Sequence, residues 1–311
     1  MRAISARAPS PVIGFTTVLV LGLGGSACAG PGSDGRPAAQ APPVPVVAST
    51  NVYGDVVEQI GGDKVDVVSI ISDPAQDPHS YEASTRNQLE LAKAKVVVQN
   101  GGGYDDFVQR MLRSSDNSSV EVIDAVEVSG KQPDADRGFN EHVWYDLPTM
   151  GKVADRIADA LAKAAPADGA EFRQNAKTFK DELAGLREGT TQINSRHAGT
   201  AVAVTEPVPL YLTEASGLVN KTPADFSEAI EEGDEVSPQS LRDTLALFTG
   251  KQVDALVYNE QTSGPQTEKV KKAAEDNGVP VVPVTETLPE GKDYISWMSS
   301  NIDALRTALE R

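Results

Sequence analysis

Short, almost wholly apolar runs alternate with amphipathic ones along most of this chain, and that alternation limits the fold more than any other feature. "VPVVAST" (44–50), "VDVVSII" (65–71), "KVVVQNGGG" (95–103) and "VEVIDAV" (120–126) are strand-like. Between them "VYGDVVEQIGG" (52–62), "TRNQLELAKA" (85–94) and "YDDFVQRMLRSS" (104–115) have helical spacing. Strands without an in–out alternation are buried on both faces, which predicts a parallel sheet covered by helices on each side. "DLPTMGKVADRIADALAKAAP" (146–166) then reads as an amphipathic helix with proline in its first turn.

A second series follows. "TAVAVTE" (200–206), "VDALVYNE" (253–260) and "VPVVPVTE" (279–286) are strands, and 208–217, 237–250, 265–278 and 294–311 are helices. Between the two series, 168–197 keeps apolar residues at Phe172, Ala176, Phe179, Leu183 and Leu186. At about 1.5 Å per residue such a helix spans roughly 40 Å, longer than most globular helices. The expected fold is α/β: two lobes, each with a four-stranded parallel sheet, joined by one long backbone helix. The expected boundaries are 44–167, 168–197 and 198–311, and no sequence repeat relates the halves.

Before residue 44 the pattern changes. Arg2 and Arg7 precede an apolar run, "VIGFTTVLVLGLGGSAC" (12–28), which has the marks of a secretory signal and is too short and glycine-rich for a convincing membrane span. Its end, "GSAC", resembles a lipobox, with Gly25 where leucine is commonest. The expectation is a signal peptide over 1–27, a lipid on Cys28, and a disordered Gly/Pro/Ala tether over 28–43. Cys28 is the one cysteine, so no internal disulfide can form. The net charge of −17 argues against nucleic acid or an anionic membrane surface as a partner.

In open parallel sheets, ligands bind beyond the carboxyl ends of the strands. Four chemically useful residues fall there. His79 lies in "SDPAQDPHSYEAS" (72–84), after the second strand; His142 lies in "NEHVWYDLP", after the fourth. Glu206 and Glu286 end strands of the second series. Two imidazoles and two carboxylates suit first-row divalent metals, and two carboxylates balance a 2+ charge. Four protein ligands leave little room for an activated water, which favours capture over catalysis. Each residue alone is also compatible with a solvated loop or a strand-end cap. His197, beside Arg196 at the end of the long helix, reads as a surface residue near the helix dipole.

"DPHSYEAS", "KAKVVVQNGGGYDDFV" and "EHVWYDLPTMGKVADRIADAL" together resemble the metal-binding solute receptors of ABC importers, the zinc/manganese family, over residues 44–311. Ala83 and Glu141 stand where that family usually has proline. The resemblance implies that His79 and His142 are the first two ligands. It puts Glu206, in "EPVPLYLTEASGL", at the third and Glu286, in "VTETLPEG", at the fourth. "EEGDEVSPQSL" (231–241) resembles the family's "EPSPxxL" and supports the alignment. Two histidines with two carboxylates, and no histidine in "GKQPDADRGFNEH" before the ligand, look like the manganese-type members. Mn²⁺ is therefore the expected cargo, with Zn²⁺ or Fe²⁺ as alternatives, since affinity at most N/O sites favours Zn²⁺ over Mn²⁺.

The resemblance further implies a monomer anchored by lipid to the outer face of the cell membrane, with an ABC permease as partner and no enzymatic activity. A stiff spine implies small lobe motions. Tyr81, Trp144 and Asp146 are candidate neighbours to orient the histidines. Two other classes can be set against this reading. A metal-dependent hydrolase would need an open coordination position and a general base, and none stands out. An adhesin-type lipoprotein would need an exposed apolar or aromatic patch, and aromatics make up 5% of the chain.

Overall fold

Two sheets of the same design organise the chain. The computed structural model describes residues 41–73, 81, 84–133 and 138–311. The first sheet contains β1 (Val44–Thr50), β2 (Val65–Ile71), β3 (Val96–Gln99) and β4 (Glu121–Asp124), all parallel, in the order β2-β1-β3-β4. The second contains β5 (Ala201–Val204), β6 (Val219–Asn220), β7 (Ala255–Asn259) and β8 (Val281–Val284), all parallel, in the order β6-β5-β7-β8. β6 has two residues and no apolar run, so the sequence pattern did not reveal it.

The helices are α1 (Asn51–Gly61), α2 (Thr85–Lys93), α3 (Asp106–Arg113), α4 (Ala125–Ser129) and α5 (Leu147–Ala164) in the first half. The second half has α7 (Leu210–Ala215), α8 (Ala224–Glu231), α9 (Pro238–Thr249), α10 (Pro265–Asp276) and α11 (Tyr294–Leu309). Joining them is α6 (Gly169–His197), an unbroken helix of 29 residues. Local chemistry fixes several starts. Ser84, Asp146, Ser237 and Asp293 each accept from the backbone N–H three residues on, and proline stands in the first turn of α5, α9 and α10. α8 was not expected from the sequence. Pro223 opens it, and its apolar contribution is limited to Phe226, Ala229 and Ile230.

Alternate residues of each strand feed different cores, as the pleat requires. Val46 and Ala48 of β1, and Val202 and Val204 of β5, point to a single core that also takes Phe179 and Leu183 of α6 and Trp297 and Ile302 of α11. Val47 and Val97 face a separate core under α2 and α3. Ala203, Leu256 and Tyr258 face another, under α8, α9 and α10. The inner faces of both sheets are thus sealed by one continuous apolar cluster, and each outer face has its own.

Polar bonds stitch the same boundary. Asn51 exchanges two bonds with the backbone of Leu288, each 2.9 Å. Tyr145 Oη donates to Thr285 O at 2.7 Å, and Tyr294 Oη donates to Trp144 O at 2.6 Å. Asp55 on α1 accepts from Tyr294 N, at the first turn of α11, at 2.8 Å. Among the described residues no helix is long and apolar enough to cross a membrane.

Candidate metal centre

The neighbour order of each sheet reverses about its first strand, so the crevices lie beyond the carboxyl ends of β1/β3 and β5/β7. After β3 the chain turns sharply through Gly101, Gly102 and Gly103, all at positive φ. A β-carbon on Gly102 would press against Phe139 and Val126, at 3.0 and 3.1 Å, so the turn needs glycine for conformation and for space. Asp105 clamps it by accepting from Asn100 N at 2.6 Å and Gly101 N at 2.8 Å. The result presents Tyr104, 1% exposed, to the crevice.

His142 lies in the same crevice with no exposed surface. It precedes a short 3₁₀ turn (Val143–Tyr145) that leads into α5. Rings of Trp144 and Tyr104 pack around it, with centroids 5.0 and 5.9 Å away. Its Nδ1 is 2.7 Å from Asn140 Oδ1, and its backbone N–H donates to the same oxygen at 3.1 Å. An amide oxygen can only accept, so Nδ1 carries hydrogen. Asn140 itself is tied to the other lobe: Nδ2 donates to Pro207 O at 3.1 Å, and Tyr211 Oη donates to Asn140 O at 2.7 Å. The orienting partner is therefore Asn140 rather than Asp146, which caps α5 and pairs with Lys131 at 3.2 Å. Trp144 is a neighbour by ring packing. Tyr81 accepts from Asn87 at 2.5 Å.

The second lobe brings carboxylates. Glu206 is two residues past β5 and 2% exposed; among the described residues its Oε2 has no hydrogen-bond partner. Glu286 is two residues past β8 and 5% exposed. Its backbone N–H is held by Gln261 Oε1 at 2.6 Å. Its carboxylate accepts from Asn259 Nδ2 at 2.8 Å and from Tyr104 Oη at 3.2 Å. Tyr104 so spans from the His142 ring to Glu286.

A third carboxylate, Glu231 at the end of α8, stands 3.0 Å from His142 Nε2. The two form an ion pair across the lobe boundary. Ligand atoms of Glu141, His142 and Glu231 all fall within 4.8 Å of one another, close enough to hold a metal ion. Glu231 was missed in the sequence because its stretch, "EEGDEVSPQSL", served only to align the second half. One signal was legible: acidic residues in a last helical turn oppose the dipole and call for another reason to be there.

His79 and Cys28 lie outside the described residues. Of the remaining predicted positions, the structure brings His142, Glu206 and Glu286 to one crevice. His197 is the last residue of α6, half-buried.

The electrostatics follow from burying several carboxylates together. Burial, then the charges of Glu231 and Glu286, pushes Glu206 up to about 8, against hydrogen bonds from Asn259 and Thr262. Burial pulls His142 down, but the charge of Glu231 and its contact, helped by Glu141 and Glu286, lift it to about 9. Such a centre takes up positive charge, either as protons or as a cation.

A cleft of about 820 Å³ opens beside the centre, lined by Glu141, Tyr211, Glu228 and Glu231 among others.

The fold and this crevice define a two-lobed receptor of the metal-binding type, and comparison places the chain within it. Residues 46–308 match the family described as zinc-uptake complex component A, periplasmic (ZnuA), and the chain belongs to that family. It is 24% identical over 314 residues to the manganese ABC transporter substrate-binding lipoprotein PsaA of Streptococcus mitis, covering 96% of this chain and 97% of that one. It is 26% identical over 249 residues to the manganese-binding lipoprotein MntA of Bacillus subtilis, covering 75% and 76%. The structure of FpvC from Pseudomonas aeruginosa in complex with Mn²⁺ superposes with a TM-score of 0.71 at 23% identity, over 86% of this chain and 98% of that one, and so shares the fold.

Proposed function

We propose that this protein is the extracytoplasmic substrate-binding component of an ABC importer. It captures a divalent transition metal between its lobes, Mn²⁺ ahead of Zn²⁺ or Fe²⁺, and delivers it to a membrane permease. His79 and His142 from the first lobe, with Glu206 and Glu286 from the second, are the ligands. The chain acts as a receptor rather than an enzyme, works as a monomer, and is tethered to the outer face of the cell membrane by lipid on Cys28.

The observation that carries this reading is the fully buried His142, whose Nδ1 is fixed by Asn140 and whose Nε2 meets Glu231 of the opposite lobe. A neutral imidazole held in one tautomer is the form that binds metal. A carboxylate held up by burial and by its neighbours' charge, as Glu206 is, gains when a cation replaces its proton. The mixed nitrogen and oxygen set, without sulfur, supports a harder ion than a structural zinc site takes.

The test is a competition titration of chelator-stripped protein with Mn²⁺ and Zn²⁺, beside His79→Ala and His142→Ala. Each substitution is expected to weaken binding by more than about 100-fold, since even residues that only orient a ligand cost 10–100-fold. Unchanged affinity in both variants would sink the reading. An anomalous scattering map across the metal edges would identify occupant and ligands together.

A further inference from the structure

The segment that follows Glu206 reaches back to the residue that aims His142. Pro207 O, one residue past Glu206, accepts from Asn140 Nδ2 at 3.1 Å. Tyr211, in the first turn of α7, donates from Oη to Asn140 O at 2.7 Å. Asn140 Oδ1 meanwhile takes the backbone N–H of His142 at 3.1 Å and stands 2.7 Å from its Nδ1. An amide oxygen only accepts, so Nδ1 faces it with a hydrogen whether the ring is neutral or charged. Both ends of the Asn140 amide are thus engaged, one on His142 and the other on the residue beside Glu206.

The first lobe grips Tyr211 a second time. Lys131 Nζ lies 4.2 Å from the centre of its ring, an attractive placement for a cation. The same Nζ pairs at 3.2 Å with Asp146, which caps α5. Tyr211 is therefore held at its hydroxyl by residue 140 and at its face by a lysine anchored on residue 146, on either side of His142 in the chain. These bonds are short-ranged: a hydrogen bond of this length is lost after roughly 1 Å of separation. Tyr211 and Asn140 also line the wall of the cleft of about 820 Å³, where the lobe boundary meets solvent.

We propose that Tyr211 is a positioning residue for the metal centre: by holding Asn140 in register with Pro207 across the lobe boundary, it couples closure of the lobes to the aim of His142. The proposal rests on the metal-receptor reading above and deepens it. Once the lobes part by about an ångström at this point, Asn140 loses both bonds to the second lobe together. Its amide is then free to turn, and the His142 ring loses the partner that fixes it. A small motion, of the kind a stiff connecting helix permits, thereby becomes a release signal. A partner that spreads this boundary loosens the hold on the metal without touching the metal or its ligands.

The test uses the full chain with Tyr211→Phe, Asn140→Ala and the two combined. Tyr211→Phe removes one oxygen and keeps the ring under Lys131, and a thermal melt of each metal-free protein checks its fold. Each protein is loaded with Mn²⁺ and mixed with excess chelating dye, and the off-rate is read. Alone, Tyr211→Phe is expected to raise the off-rate about 3–10-fold, as loss of one neutral hydrogen bond does, with little change in on-rate. In the Asn140→Ala background the carbonyl that Tyr211 holds remains, but the side chain that aims His142 is gone. There Tyr211→Phe is expected to change the off-rate by less than about twofold. An equal rise in both backgrounds would overturn the proposal, because Tyr211 would then hold the lobes together without acting through Asn140. An unchanged off-rate in Tyr211→Phe alone would overturn it as well, and either result leaves the receptor reading standing. Failure of the unsubstituted chain to bind Mn²⁺ or Zn²⁺ would instead remove the reading beneath it.

Discussion

The two lobes share a strand order and differ in how they hold what they present. The first lobe seats His142 between the rings of Tyr104 and Trp144, with Asn140 fixing one nitrogen. Its central strand β1 is seven residues long and pairs on both sides. The second lobe offers Glu206 and Glu286 just past strands of four residues, and Glu231 at the end of an eight-residue helix. α8 packs on the outer core of that lobe through Phe226, not on the core common to both. An imidazole must be aimed, because one lone pair does the binding. Carboxylates can be supplied from shorter elements, because each has two oxygens and several lone pairs to offer. The half with the longer central strand therefore holds the directional donor and the other half holds charge.

The largest expected effect tests whether the lobes are independent at all. Trp297, 2% exposed on α11, lies in the core common to both sheets. Trp297→Ala should cost about 3–5 kcal/mol and lower a single unfolding transition seen alike by probes in either half. Two separate transitions in a denaturant melt would break the comparison, since each lobe would then stand on its own core.

Asn140 sharpens it next. Removing its side chain frees the His142 ring while leaving the rings of Tyr104 and Trp144 in place. Asn140→Ala should weaken Mn²⁺ binding by about 10–100-fold. Histidine nitrogen NMR of the metal-free protein, followed above the His142 value of about 9 where the ring is neutral, should show loss of the single Nδ1–H tautomer, a signature that mere loosening of the fold would not produce. An unchanged tautomer would mean that packing alone aims the ring.

The smallest effect concerns the boundary itself. Asp55 is pushed up from 3.8 to about 6 by burial, against bonds from Tyr294 N and Gln59, with Asp293 and Glu58 adding to the rise. Between about pH 4 and 6 the folded chain holds a proton there that the unfolded chain has released. That contribution is complete in acid and is lost as pH rises through about 6. Asn can accept both bonds through its amide oxygen and cannot titrate. Asp55→Asn should flatten the stability curve across that window, measured by urea melts at stepped pH. A curve of unchanged slope would show that Asp55 ionises as freely folded as unfolded.

The same contrast decides what was legible in the sequence. The apolar runs of β1, β3, β5 and β7, the proline and serine starts of α5 and α9, and the 29-residue α6 were all readable, because burial on both faces and capping are written locally. β6 and α8 were not, since a two-residue strand and a helix with few apolar residues carry no periodic signal. His142, Glu206 and Glu286 could be placed because they follow strands. Asn140 and Glu231 could not, because their parts arise from the lobes coming together, a relation no stretch of chain contains.

Each sheet repeats one arrangement, a first strand flanked by its second and third, with the fourth at the edge. A topologist would count two units. The core running through α5, α6 and α11 counts one, since the inner faces of both sheets close on the same residues. Neither half could be lent to another protein and keep its shape, for each would carry an uncovered apolar side. The halves share no sequence repeat, yet must be inherited together. In this chain the unit that recurs is smaller than the unit that folds.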